Sequence, residues 1–311
     1  LIDASLLNRA PTCSDLGFAL GPRINAGGRV GEATLGVRLL TTEDPEEARI
    51  IAAQLSQLNE ERRAIEAAVQ EAAEAQLETQ HNRAVVLLAG AGWHPGVIGI
   101  VAGRIKEKSG RPAIVIALEA DEHGHGKGSG RSIAGVDLGA AIIAAREAGL
   151  LVAGGGHAMA AGLTVAPDRL SALAEFLDER LGAAVIAAQA GQSLALDLAV
   201  APGGLVPPLV ETLESAGPYG MGWPGPRVAV GPVRLIKADL VGKDHVRLIV
   251  RGDDGASFKA VAFRQAETEL GQALLNRAQG RRFWLAGRAR IDDWGSRPAA
   301  ELHVDDAAWA D

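Results

Sequence analysis

Cysteine is almost missing from this chain: of 311 residues, only Cys13 carries a thiol. That excludes an internal disulfide and a cysteine-built metal centre, and it fits a reducing cytoplasm. Aromatic residues make up 4%, so the cores must be packed from Ala, Leu, Val and Ile. No apolar run is long enough to span a bilayer, because the most apolar stretch, residues 138–153, is broken by Arg146 and Glu147. No membrane partner is expected, and no basic-then-apolar leader stands at the start. A catalytic constellation is missing too. No cluster of Asp, Glu and His has metal-ligand spacing, and no serine or cysteine has the setting of a nucleophile.

What is present begins with length and charge. At 311 residues the chain exceeds the usual single-domain size, so two domains with a linker are expected. Leu1 already lies in a helix-like pattern (LIDASLLNRA), so the chain reads as the later part of a longer protein. The net charge of −7 conceals an asymmetry. Residues 43–80 hold ten acids against Arg49, Arg62 and Arg63, whereas residues 227–301 hold fourteen bases against nine acids. Polyanion binding follows local potential, so the acidic total does not exclude it.

The pattern along the chain separates into regions. Residues 1–40 read as a short helix, a glycine-rich loop (GPRINAGGRVGEA, 21–33) and a second helix start. TTEDPEEAR supplies a cap, acids and an early proline, opening a helix that runs to about Gln80. Its Ile51, Leu55, Leu58, Ile65 and Val69 recur at helical spacing. From residue 84, strand-like runs (AVVLLAG, PAIVIALEA, MAAGLTV) alternate with helical ones, which implies an α/β unit with a mixed sheet covered by helices. After about Gly191 the texture turns β-rich. LALDLAV reads as a strand before a short helix near 206–215, and five further short strands suggest a small Greek-key barrel of the oligonucleotide-binding type.

Four glycine-bearing segments are candidates for chemistry. GAGWHPG (90–96) follows a strand and opens a helix, and Glu119 ends the next strand, as in a dinucleotide site. Its third glycine is displaced, however, and Trp93 and Pro95 stand where a pyrophosphate needs bare backbone. A plain turn and an anion contact at the helix N-terminus are the competing readings. HGHGKGSGRS lacks the Ser/Thr that follows a phosphate-loop lysine, and His123 and His125 receive no assignment. In an extended segment, though, Ser129 and Arg131 point to one face, where hydroxyl and guanidinium suit a phosphate; a solvated hairpin is the alternative. GPRINAGGR offers Arg23 and Arg29 beside glycine amides. GGGHAMAAG (154–162) offers Gly154, Gly155 and Gly156 as a candidate anion nest, with His157 either a phosphate donor or a core histidine. Three glycine-plus-cation segments together point to a ligand with several phosphates, a nucleic-acid strand.

LGFALGPRINAGGR, LNEERR on the long helix, GWHPGVIGIVAGRI, GSGRS, GGGHAMAAG and LESAGPYGMGWPGP resemble, in order, the bacterial RecJ single-stranded-DNA exonucleases of the DHH phosphoesterase superfamily. GGGH also occurs in oligoribonucleases and in alanyl-tRNA synthetases, so the GPRINAGGR segment and the β-rich tail carry the specific match. The sequence departs from the common pattern at Gly27, where alanine is usual. The resemblance implies a hydrolase, a processive 5′→3′ exonuclease acting on single-stranded DNA in repair and recombination. It implies the end of the catalytic lobe at 1–42, a connecting helix at 43–80, a DHH-associated substrate-binding domain at 81–190 and an oligonucleotide-binding barrel at 191–311. Mn2+ or Mg2+ would be held by motifs upstream of Leu1, with none bound by this segment. Arg23, Ser129 and Arg131 would contact phosphate, and Gly154, Gly155, Gly156 and His157 would wall the strand channel. Arg29 joins them as a phosphate contact. A helicase and a single-strand-binding protein are implied partners of a monomer. The alternatives are a non-catalytic single-strand-binding module and a nucleotide-cofactor enzyme using GAGWHPG. In the barrel, Lys237, Lys243, Arg247 and Lys259 with Phe258 and Phe263 are the candidate strand contacts.

Overall fold

A computed structural model describes residues 1–118, 124–191, 193–220, 222–276, 278–292 and 298–310. The chain divides into two compact units, Leu1–Gln192 and Ser193–Asp311.

In the first unit, a single turn α1 (Cys13–Asp15) runs through a π-helical stretch, Leu16–Leu20, into α2 (Gly21–Val30), followed by α3 (Leu35–Thr41). The expected glycine-rich loop at 21–33 is therefore a correction: most of it is helix. Glycine counted as a breaker is here a contact residue. A Cβ on Gly27 would sit 2.6 Å from the Glu32 carbonyl, and one on Gly36 would sit 2.9 Å from that of Ile24. Close packing outweighs the roughly 1 kcal/mol that glycine costs in a helix.

The long helix α4 (Pro45–Leu77) starts where Asp44 accepts from the Glu46 amide at 2.9 Å, with Pro45 in the first turn. Its seam buries Ile51 and Leu55 against Leu35, and Val69, Ala73 and Leu77 against the sheet. The sheet contains β1 (Val86–Ala91), β2 (Ala113–Leu118), β3 (Gly126–Arg131), β4 (Ala153–His157) and β5 (Ala160–Val165) in the order β1-β2-β3-β5-β4. Only β1 and β2 run parallel; the remaining pairs are antiparallel. Strand alternation divides the core. Val115 joins Val97 and Val101 of α5 (Pro95–Ser109) on the α4 side. Ile114 and Ile116 pack towards α6 (Leu138–Glu147) and α7 (Leu170–Ala190) on the other.

In the second unit, β6 (Leu198–Val200) and α8 (Pro207–Ser215) precede β7 (Val228–Val241), β8 (His245–Gly252), β9 (Ser257–Ala262), α9 (Glu269–Asn276), β10 (Arg282–Asp292) and β11 (Ala299–Trp309). Pairing proceeds β7-β8-β9-β11-β10, and β10 returns to β7, so five strands close a barrel of the oligonucleotide-binding type. Of the expected strand LALDLAV, only its last three residues are β6, added parallel to β7. The closed interior holds Val230, Leu248, Val250, Phe258, Phe283 and Leu302, a mainly aliphatic core, in keeping with the shortage of aromatics.

Candidate nucleic-acid interface

On β3 the odd and even positions separate sharply. Gly126, Gly128 and Gly130 are buried on the α6 side, where Ile116, Leu163 and Leu138 occupy the space a Cβ would need. Lys127, Ser129 and Arg131 consequently emerge on the α5 side. The expected alternation holds: Arg131 Nη1 donates to Ser129 Oγ at 3.0 Å and to the Gly130 carbonyl at 2.8 Å. Gly99 of α5 gives them room, since a Cβ there would lie 3.0 Å from both Arg131 Nη2 and Ser129 Oγ. Burial, and then the neighbouring Arg29, lower the Arg131 guanidinium pKa from its ordinary value.

The register carries this face across the sheet. Arg131 pairs with Ala160, and Ala160 pairs with His157. Ser129 pairs with Gly162, and Gly162 with Gly155. Directly opposed residues share a face, so a row without side chains beyond Ser129 runs beside a row ending in Arg131 and His157. Nothing lies within 4 Å of a Cβ built on Gly155 or Gly162. The anion nest read from GGGH is a correction. Gly154, Gly155 and Gly156 are extended strand, and none has the positive φ a nest requires. Gly154 and Gly156 face the other way, where Ile142 and the Ala160 carbonyl exclude a side chain. His157 is exposed, and its Nδ1 accepts from the Met159 amide at 3.3 Å, so the neutral ring carries its proton on Nε2 as a donor. Helix α6 buttresses it, because a Cβ on Gly139 would lie 2.8 Å from the His157 backbone.

Arg29 extends the cationic row from α2. Its Nη1 donates to the Gly96 carbonyl at 3.1 Å, and a Cβ on Gly96 would meet the Arg29 carbonyl at 2.2 Å. The first turn of α5 is thus closed, with His94 Nδ1 accepting from the Gly96 amide at 3.0 Å. Gly90, the first glycine of the dinucleotide-like motif, seats the Trp93 ring, 2.2 Å from where its Cβ would be. With Trp93 seated on Gly90 and His94 capping the Gly96 amide, the geometry favours the plain turn over a dinucleotide site at GAGWHPG; Glu119 and His123 lie outside the described residues. Arg23 lies elsewhere on α2, donating through Nη1 to the Ala19 carbonyl at 2.7 Å and through Nε to Ser56 Oγ at 3.3 Å. It shares with Arg29 a cavity of about 550 Å3. The amides of Gly21, Gly27 and Gly28, expected to be exposed, belong to the helix.

The barrel surface corrects one further expectation. Phe258 is core and cannot stack on a base, whereas Phe263 is 46% exposed. It is flanked edge-on by His245 at 5.2 Å and His303 at 4.8 Å between ring centres. Lys237 and Arg247 both pair with Asp239, and Lys259 bridges Asp292 and Glu301, so these bases have local partners. Arg288 and Arg290, not anticipated, border a hollow of about 290 Å3 with Phe263 and His303. The available signal was strand alternation in RFWLAGRARID, which turns both arginines outward. Among the described residues no group of three or more His, Cys, Asp or Glu could hold a metal ion, so no step here is assigned to one.

Comparison with known proteins follows the same division. The DHHA1 domain matches residues 81–183, and the RecJ OB domain matches residues 196–306. The single-stranded-DNA-specific exonuclease RecJ of Dickeya dadantii is 41% identical over 244 residues, covering 76% of this chain and 42% of that protein. RecJ of Bacillus subtilis is 34% identical over 301 residues, 94% of this chain and 36% of that protein. The crystal structure of Thermus thermophilus RecJ with Mn2+ superimposes with a TM-score of 0.72 at 29% identity, covering 100% of this chain and 43% of that one. Its Mg2+ complex gives 0.69. The chain therefore spans about two fifths of the length of the relatives it matches.

Proposed function

Since the chain belongs to the RecJ family, carrying its DHHA1 and OB domains, we propose that it is the strand-holding portion of a 5′→3′ single-stranded-DNA exonuclease. The observation that supports this most directly is the face on which Ser129, Arg131 and His157 flank the bare row Gly162–Gly155. A phosphodiester backbone needs fixed donors and close approach, not base-reading side chains. Arg131 and Ser129 hold the 5′-terminal phosphate, the guanidinium gripping two oxygens and the hydroxyl a third. Arg29 adds positive potential beside them, and Arg23 contacts phosphate from the same helix. The glycines let the backbone pass, and His157 donates through Nε2. On the barrel, Phe263 supplies a stacking platform beside Arg288 and Arg290.

In a full-length parent, Mn2+ or Mg2+ held by residues outside this chain would supply activated water and stabilise the leaving oxygen, and this chain would align the substrate. The test is direct. The purified 311-residue chain should bind a labelled single strand, with affinity falling as salt rises, and should leave it intact with Mn2+ present. Digestion by this chain would overturn the division of labour, and absence of binding would overturn the reading itself.

A further inference from the structure

The buried seam of α4 is interrupted in its middle. Ile51 and Leu55 precede, and Val69, Ala73 and Leu77 follow, but Asn59, Arg62 and Glu66 stand between them at the same spacing. Burying polar groups costs about 1–3 kcal/mol each unless something answers them, so a helix serving only as a connector would be apolar here. Instead these residues line the cavity of about 550 Å3 bordered by α2, α4 and α5, which Arg23, Arg29, Arg63 and Arg104 also line.

Five arginines thus meet one carboxylate. Glu66, 2% exposed, pairs with both Arg62 and Arg104. Arg62 also donates to Asn59 Oδ1 at 3.0 Å, and its buried Nε has no partner among the described residues. Arg63 is exposed and makes no ion pair among them. Burial lowers the Arg62 pKa against the opposing pull of Glu66, and Arg29, Arg63 and Arg104 push it the same way. The crowding lacks anionic charge. Phe18, 86% exposed, lines the same cavity, placing an apolar face beside the cations, the pairing that a nucleotide's base and phosphate require.

We propose that this cavity is a second phosphate subsite, built on α4 itself, which takes a further phosphodiester of the single strand whose end Arg131 and Ser129 hold. The proposal rests on the strand-holding reading above. Arg63 and Arg23 contact the phosphate, and Glu66 is a positioning residue that aims Arg62 and Arg104.

The full chain, titrated by fluorescence anisotropy with a 5′-phosphorylated oligothymidylate over a range of salt, tests it. Each lost phosphate contact on a single strand removes about 0.7 from the slope of log affinity against log salt. Arg63→Ala should lower the slope by that amount and weaken binding about threefold to tenfold; Arg63→Glu should weaken it further. Both should retain the preference for 5′-phosphate that Arg131→Ala loses. Arg63 is exposed, and circular dichroism verifies that the fold is kept. Unchanged affinity and slope in both Arg63 variants, with Arg131→Ala impaired, would overturn the subsite alone. Impaired Arg63 variants with Arg131→Ala unaffected would overturn the assignment of Arg131 and support the subsite. A chain that binds pyrophosphate but no oligonucleotide would overturn both as strand sites.

Discussion

Arg131 and His157 stand two strands apart and share one partner, Ala160, so both side chains leave the sheet on the same face. With strands about 4.8 Å apart, their backbones are separated by roughly 10 Å, and Ala160 alone intervenes. The neighbouring row, Ser129–Gly162–Gly155, has no side chain beyond the serine.

Glycines of this hairpin should therefore split into two classes. A Cβ on Gly155 meets nothing within 4 Å, so Gly155→Val should change stability by about 0.5 kcal/mol or less, yet reduce single-strand affinity at least about tenfold by filling the row. Gly156→Ala places a Cβ 2.3 Å from the Ala160 carbonyl and should lower the thermal midpoint clearly. Thermal unfolding and anisotropy on the two variants separate the effects.

Arg131→Ala should cost more affinity for a 5′-phosphorylated strand than for a 5′-hydroxyl strand. A charge-assisted hydrogen bond contributes about 1.5–3 kcal/mol, or roughly ten- to hundredfold. Equal losses for the two strands would demote Arg131 to a general backbone contact.

On the barrel, two phenylalanines should respond oppositely. Phe258→Ala empties the core and should destabilise by about 3–5 kcal/mol. Phe263→Ala should leave stability nearly unchanged and weaken single-strand binding by about 1–3 kcal/mol, the usual value of one base–aromatic stack. Urea unfolding and a binding isotherm distinguish them.

His303 sets a pH dependence. Burial, and then Arg290, hold its imidazole below the ordinary 6.5, despite Glu301 Oε1 lying 3.1 Å from Nε2; that carboxylate is also engaged by Lys259. Because the folded value is depressed, the unfolded chain takes up protons first as pH falls. The contribution is complete above about 6.5 and is lost as pH drops through the folded value. Replacing His303 by Gln should flatten the fall in thermal midpoint between pH 7 and 5; an unaltered slope would rule the residue out.

The large divisions were legible because their signals are periodic. The alternation in GKGSGRS placed Ser129 and Arg131 on one face, and the caps of TTEDPEEAR marked the start of α4. GPRINAGG misled because glycine is permissive in isolation but serves close helix packing in context, and only the positions of Glu32 and Leu55 reveal that. GGGH suggested a nest because nothing local separates a nest from an edge strand; pairing with β5 decided it. Asn59, Arg62 and Glu66 were hidden in a helix whose outer face is equally polar, since spacing alone does not say which face is buried.

The vacant row of β4 and β5 has one more consequence. At Gly155 and Gly162 the wall is bare main chain with no rotamer to reset, so a ligand lying against it finds the same contour each time it arrives.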